Sequence, residues 1–284
     1  MEKKVCAITG AAGGLGFGTA KIMGEKYKLL ISDVNQEKLD KAVAELRGMD
    51  MEVEGMLVNV VDRSQVTAFA EKAKSMGTIA SVIQLAGLTG LSGEPKTIFK
   101  VNTLGTMYIN EEFYKVMEPG SAIMDIGSSA AYLIPRDRWP IDLFKLSRKV
   151  DKEEFCDKMI SFFMEGSPEK AQGMAYTWSR CFIYWYVGEC TYQFGQKGIR
   201  VVSVAPGIVE TEMSKKDMEK SGSLESRLTY VAMGNRMGKI DEAAFLISTL
   251  VDERNSYVSG ITVPCDGGEM SSGFKGQRTP RVEE

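Results

Sequence analysis

Short apolar runs, each too hydrophobic to leave one face in water, alternate with stretches of helical spacing along most of this chain, and that rhythm leaves few folds open. Val5-Cys6-Ala7-Ile8 ends in Thr9-Gly10, passes through a glycine-dense turn and enters a helical stretch over 17–26. The strand signal returns at 29–33, 53–58, 79–85, 122–126, 199–204 and 261–263. Between these runs, 38–48, 64–76, 96–117, 174–194 and 241–251 read as helices. Strands buried on both faces and separated by helices call for a parallel sheet covered on both sides, and right-handed crossovers make it doubly wound. The expected fold class is α/β: a single Rossmann-like domain over residues 1–269 with helices on both faces.

Two stretches break the rhythm. Residues 133–173 are charged and aromatic, with helical patches such as 151–164, and read as a helical insertion between a strand and a helix. Residues 270–284 form a polar tail, expected to be mobile or an inter-subunit arm.

Composition narrows the chemistry. A net charge of −3 offers no long-range attraction to phosphate polymers or anionic lipid, so a small molecule is expected as partner rather than nucleic acid or a membrane surface. Met1-Glu2-Lys3-Lys4 lacks a secretory signal, and no run approaches the roughly 18 apolar residues of a membrane span. Five cysteines without a C-x-x-C fit free thiols in a reducing compartment, so a cytoplasmic location is expected. The chain has no histidine. That removes Ser-His-Asp hydrolysis, Cys-His proteolysis and nearly every catalytic zinc site, and no metal is expected. Acid–base work falls to Tyr, Lys, Asp, Glu or Cys.

The first chemical motif is Thr9-Gly10-Ala11-Ala12-Gly13-Gly14-Leu15-Gly16, between strand and helix. Glycines there let a pyrophosphate approach backbone amides at a helix N-terminus, where the macrodipole favours negative charge. Asp33 follows Gly16 by 17 residues, at the end of the second strand. It serves either as a cap for the next helix or as acceptor for the adenosine ribose hydroxyls, and in the second role it repels a 2′-phosphate and favours NAD over NADP.

At this point the chain resembles the short-chain dehydrogenase/reductase family. Thr9-Gly10-x-x-x-Gly14-x-Gly16 has that family's spacing, and Asn59-Val60-Val61-Asp62 resembles its adenine-contacting segment, with Asn59 where Asp is usual. Gln84-Leu85-Ala86-Gly87 keeps the Ala-Gly half of its Asn-Asn-Ala-Gly signature. Val101-Asn102-x-x-Gly105 is similar to the segment supplying a helix-kinking, water-holding asparagine. Pro206-Gly207-Ile208-Val209-Glu210-Thr211 resembles the nicotinamide-side loop, and Tyr257-Val258-Ser259-Gly260 with Asp266-Gly267-Gly268 the C-terminal signature. The resemblance implies a cofactor site of Gly10, Gly14, Leu15, Gly16, Asp33, Asn59, Val60, Ala86, Gly87, Pro206, Gly207, Ile208, Val209 and Thr211, with Tyr176 and Arg180 on the ribose.

It also implies the catalytic set. Ile126-Gly127-Ser128-Ser129 closes a strand, and Tyr176 is expected to open the long aromatic helix. Ser128, with Ser129 as the alternative, would hold the substrate oxygen, Tyr176 would exchange the proton and Asn102 would support a water chain. A phenol is a poor proton-transfer group at neutral pH unless a cation favours its anion. The family places lysine four residues after the tyrosine; here Arg180 stands there, on the same helical face. A guanidinium keeps the charge and can reach ribose hydroxyls, but it does not release protons.

Ser128 and Tyr176 lie 48 residues apart (128 to 176), a long gap that resembles the hydroxysteroid dehydrogenase/carbonyl reductase branch. Trp139, Ile141, Leu143, Phe144, Phe155, Met159, Ile160, Phe162 and Phe163 of the insertion either wall an apolar pocket or pack inserted helices on the body or on a neighbouring subunit. The expected activity is NAD(H)-dependent interconversion of a secondary alcohol and a ketone, on a bulky apolar substrate such as a hydroxysteroid or bile acid. The alternative is a catalytically silent NAD(H)-binding sensor, because of Arg180. A homodimer or homotetramer is expected, assembled on the long-helix face unless the insertion covers it.

Overall fold

Burial sets the register of the central strands, while Val53–Leu57 and Ile261–Cys265 at the two edges are partly exposed. In the computed structural model, which describes residues 3–164, 170–220 and 223–272, Val5–Thr9 (β1), Lys28–Asp33 (β2), Val53–Leu57 (β3), Ile79–Gln84 (β4), Ala122–Ile126 (β5), Arg200–Pro206 (β6) and Ile261–Cys265 (β7) form one parallel sheet. Its order is β3-β2-β1-β4-β5-β6-β7. The order reverses between β1 and β4, and in such sheets ligands sit outside the carboxyl ends of the strands at that reversal.

Side chains alternate between two cores. Val5, Ala7, Leu30, Val82, Ile123 and Val201 pack under Arg63–Met76 (α3), Pro95–Val116 (α4) and Ala171–Gln196 (α7). Cys6, Ile8, Ile31, Ile83, Met124 and Val202 pack under Gly14–Gly24 (α1), Gln36–Gly48 (α2) and Ile240–Val251 (α10). Asn35 caps α2 by accepting from Lys38 N at 2.9 Å, and Asp62 caps α3 by accepting from Ser64 N at 2.9 Å. The C-terminal carbonyls of α10 are capped from the sheet beneath: buried Arg200 of β6 donates to the carbonyls of Leu250, Val251 and Asp252 at 2.8 to 3.1 Å.

The insertion holds Ile141–Leu146 (α5) and Lys152–Met164 (α6); its Trp139, Phe144, Phe155 and Phe163 are core, whereas Phe162 is exposed. Phe155 is fully buried, 5.1 Å from Phe182 and 6.1 Å from Phe99 between ring centroids; Phe144 lies 5.6 Å from Phe182, and Phe163 lies 5.7 Å from Phe99. Ion pairs Lys96–Asp157, Lys100–Glu153 and Lys152–Glu111 line the seam between α4 and α6. Of the two roles open to these residues in sequence, the structure shows packing on the body. Part of the long-helix face is therefore covered by the chain's own α6.

Two further helices, Glu212–Lys220 (α8) and Ser223–Leu228 (α9), follow β6 and were not expected from sequence. No helix of the described residues is long and apolar enough to cross a membrane. Of the polar tail, Met270 to Ser272 continue a turn after β7, and 273–284 lie outside the described residues.

Candidate active site

The glycine turn and the end of β4 are locked together. Gly10 and Gly14 have left-handed φ of 63° and 52°, and a Cβ on Gly10 would stand 2.7 Å from Ala86 N. Thr9 sets this approach: its Oγ1 accepts from the amides of Leu85 and Ala86 at 3.1 Å each and donates to Gln84 Oε1. Thr9, Gly10, Ala86 and Gly87 thus meet at the seam between β1 and β4.

Helix α1 starts at Gly14 with Gly13 as N-cap and no side chain capping it, so its first-turn amides, Leu15 and Gly16 included, lack a side-chain acceptor. The space beside Gly13 is open. From the far side Thr211 closes in, its Cγ2 3.4 Å from where a Gly14 Cβ would stand. Thr211 Oγ1 also accepts from Ser214 N at 3.1 Å, fixing the start of α8. The loop between is tied down by Gly207 N donating to Cys265 O at 3.0 Å and Gly238 N donating to Ile208 O at 2.9 Å, with Ile208 and Val209 buried beyond Pro206.

Asp33 stands beside this turn. Its Oδ2 accepts from Ala12 N at 3.3 Å and its Oδ1 from Asn35 N at 3.1 Å. The cap of α2 is Asn35, so the cap role open to Asp33 in sequence is filled by another residue. Asn59 turns back on its own segment, its N donating to Gln65 Oε1 at 2.8 Å and its Oδ1 accepting from Val61 N at 3.2 Å, while Val60 is buried against Gly105 of α4.

Tyr176 lies in the second turn of α7, which begins at Ala171 rather than at the tyrosine. One turn on, the Arg180 guanidinium carbon lies 5.0 Å from the Tyr176 ring centroid. Arg180 is 5% exposed, its Nη1 donates to Ile126 O at 2.8 Å, and its Nε is buried without a partner among the described residues. Arg180 thus lies between a strand-end carbonyl and the tyrosine ring, with its Nη2 3.0 Å from where a Cβ on Gly87 would stand. The fork finds a strand-end carbonyl within reach, so the charge meets Tyr176 through the ring face.

Asn102 joins two elements. Its Oδ1 accepts from Leu88 N at 2.9 Å, and its Nδ2 donates to Leu88 O and Ser179 Oγ, both at 3.0 Å. Ser179 Oγ in turn donates to Tyr176 O at 2.6 Å. The Asn102 carbonyl accepts from Thr106 Oγ1 at 2.9 Å, and α4 continues through this position. The asparagine clamps the β4 loop to the tyrosine helix.

The two serines after β5 have different partners. Ser128 Oγ accepts from Ala130 N at 3.1 Å, capping a 3-10 turn and leaving its own O–H to donate. Ser129 is buried and joined to an ion pair: its Oγ donates to Glu269 Oε2 at 3.4 Å and accepts from Arg227 Nη2 at 3.2 Å. Arg227 and Glu269 went unnoticed in sequence, because nothing local links positions 42 residues apart.

Comparison with known proteins bears on the same residues. A family model described as short chain dehydrogenase matches 4–140, and a second, described as enoyl-(acyl carrier protein) reductase, matches 161–269. The chain belongs to the short-chain dehydrogenase/reductase family. The span between the two matches, 141–160, holds α5 and most of α6. The short-chain dehydrogenase/reductase bsc3 of Alternaria brassicicola is 27% identical over 274 residues, covering 95% of this chain and 97% of that one. The 3-oxoacyl-(acyl-carrier-protein) reductase of Thermotoga maritima is 27% identical over 279 residues, covering 94% and 98%. Among solved structures, a short-chain type dehydrogenase/reductase from Mycobacterium ulcerans superposes with a TM-score of 0.75 at 19% identity, covering 95% and 91%.

This short-chain dehydrogenase/reductase is therefore an oxidoreductase from a family that uses nicotinamide cofactors. The residues fit such a group: an uncapped helix start beside open space suits a diphosphate, and the buried, unpartnered Arg180 Nε borders the strand ends where the reacting half would lie.

Proposed function

We propose that the protein is an NAD(H)-dependent enzyme that interconverts a secondary alcohol and a ketone. The observation carrying this reading is that Tyr176, on α7, is tied to the β5 end that presents Ser128: Arg180 lies against the tyrosine ring and donates to Ile126 O, two residues before that serine. The first turn of α1 and the 206–211 loop would hold the dinucleotide, which supplies or accepts hydride when bound. Asp33 favours NAD, since its carboxylate beside Ala12 repels a 2′-phosphate.

In the proposed step Ser128 donates its hydroxyl hydrogen to the substrate oxygen, and Tyr176 gives that oxygen its proton on reduction or takes it on oxidation. Arg180 favours the phenolate by its fixed charge and moves no proton. Asn102 holds α7 and the Leu88 loop in register through Ser179. The insertion's core aromatics pack on α4 and α7, so they give no support to a steroid-sized substrate over a smaller one. A silent NAD(H)-binding reading draws on one observation, that Arg180 is bonded to Ile126 rather than directed outward.

The test is a turnover screen with NAD(H) and NADP(H) against aliphatic, cyclic, polyol, steroid and bile-acid alcohols and ketones. Turnover with NAD(H) preferred supports the proposal. NADH binding without turnover on any member selects the silent reading, and a preference for NADP(H) overturns the assignment of Asp33.

A further inference from the structure

The carboxylate of Glu269 is fully buried beside the proposed site and takes no part in the chemistry above. It comes from the turn after β7, which Asp266 shapes by accepting from Gly268 N and Met270 N at 3.0 Å each. Its Oε1 accepts from Arg227 Nε at 2.6 Å and its Oε2 from Arg227 Nη2 at 2.9 Å, a two-pronged ion pair. The same Oε2 accepts from Ser129 Oγ and lies 3.4 Å from where a Cβ on Gly207 would stand. One buried carboxylate therefore touches the serine turn directly, lies under the 206–211 loop, and holds the α8–α9 segment through Arg227. A second tie runs alongside, Met233 N donating to Gly267 O at 3.0 Å.

A buried ion pair is a poor choice for stability alone, because desolvating two charges offsets most of their attraction, whereas it fixes one geometry against alternatives. The geometry points to Glu269 as a positioning residue for the proposed reaction: through Ser129 it sets the turn that presents Ser128, and through Arg227 it seats the α8–α9 segment over the cleft. The inference rests on the proposed alcohol–ketone reading for its kinetic consequence only. The seating itself is a property of the free protein.

The experiment compares the parent with Glu269→Gln, Arg227→Met and the double variant Glu269→Met/Arg227→Met. The double variant replaces the pair by apolar side chains of similar length and removes both of its charges together, so it keeps the test open if a single variant fails to fold. The expected result is a fall in kcat of about tenfold or more in each variant, with the double no worse than the singles, as for partners acting as one unit. NADH affinity falls by less than kcat does, because the first turn of α1 keeps its contacts and only the 206–211 loop, against which Glu269 lies, is loosened. In the protein without substrate, amide exchange over 212–220 and 226–231 quickens by about tenfold or more while β5 is unchanged. A double variant with parental kcat and parental exchange overturns the assignment. If the parent turns over no substrate, the alcohol–ketone reading fails and the exchange measurement alone decides on the seating.

Discussion

Asp125 in the middle of the sheet sets a measurable pH dependence. It sits on β5, fully buried, with Asn110 of α4 donating to its Oδ2 at 2.8 Å and no partner for its Oδ1 among the described residues. Gln84 and Ser203 flank it in register on β4 and β6, and Tyr186 and Cys190 of α7 lie within electrostatic reach. Burial drives its carboxyl from 3.8 up to about 7 against the smaller opposing effect of Asn110. The folded state therefore holds a proton between these values that the unfolded chain releases, so stability falls as pH rises through that window and levels off above it. With about 1.4 kcal/mol per pH unit of difference, the penalty grows by roughly 2 to 3 kcal/mol between pH 5 and pH 8. Asp125→Asn removes the titration while keeping the shape. Denaturant unfolding of parent and variant across pH 5 to 8 should show the variant gaining about 2 to 3 kcal/mol relative to the parent as pH rises. A constant difference between the two would refute the reasoning.

Three shorter predictions concern the cleft and the insertion. Asp33→Ser should shift cofactor preference toward NADPH by about tenfold or more in a fluorescence titration, and unchanged preference would remove Asp33 from cofactor choice. Phe155→Ala should destabilise by about 3 to 5 kcal/mol with NADH affinity unaltered, since the ring fills core between α4, α6 and α7; weakened substrate binding at parental stability would make the insertion a pocket wall instead. Arg180→Lys should keep kcat within about threefold, whereas Arg180→Met should lower it by about a hundredfold, the loss of the cation beside Tyr176; equal effects would show that charge is not what Arg180 contributes.

The central strands were legible because burial on both faces writes continuous apolar runs; the partly exposed edge strands β3 and β7 were found too, and every strand was located to within a few residues. Helix α7 begins at Ala171, three residues before the expected start, and runs through Gly173, whose cost of about 1 kcal/mol in a helix is overridden by packing. Helix α8 has a sequence dominated by charge, with local support such as the Lys216–Glu212 pair, and α9 is a six-residue helix whose Arg227 is held by the distant Glu269, so neither leaves an apolar stripe to read. The glycine turn and Asp33 were visible because their chemistry is local in sequence. The roles of Arg180 and Asn102 were not, since each depends on an acceptor or donor on another element, Ile126 O for one and Leu88 with Ser179 for the other.

The most direct measurement replaces one oxygen atom. Tyr176→Phe, assayed with the alcohol or ketone giving the highest parental turnover, should lose about 10²-fold to 10⁴-fold in kcat, the usual contribution of a positioned proton-transfer group. NADH affinity should match the parent, because the ring and its contact with Arg180 remain. A variant that turns over at the parental rate would show that this hydroxyl moves no proton in the reaction.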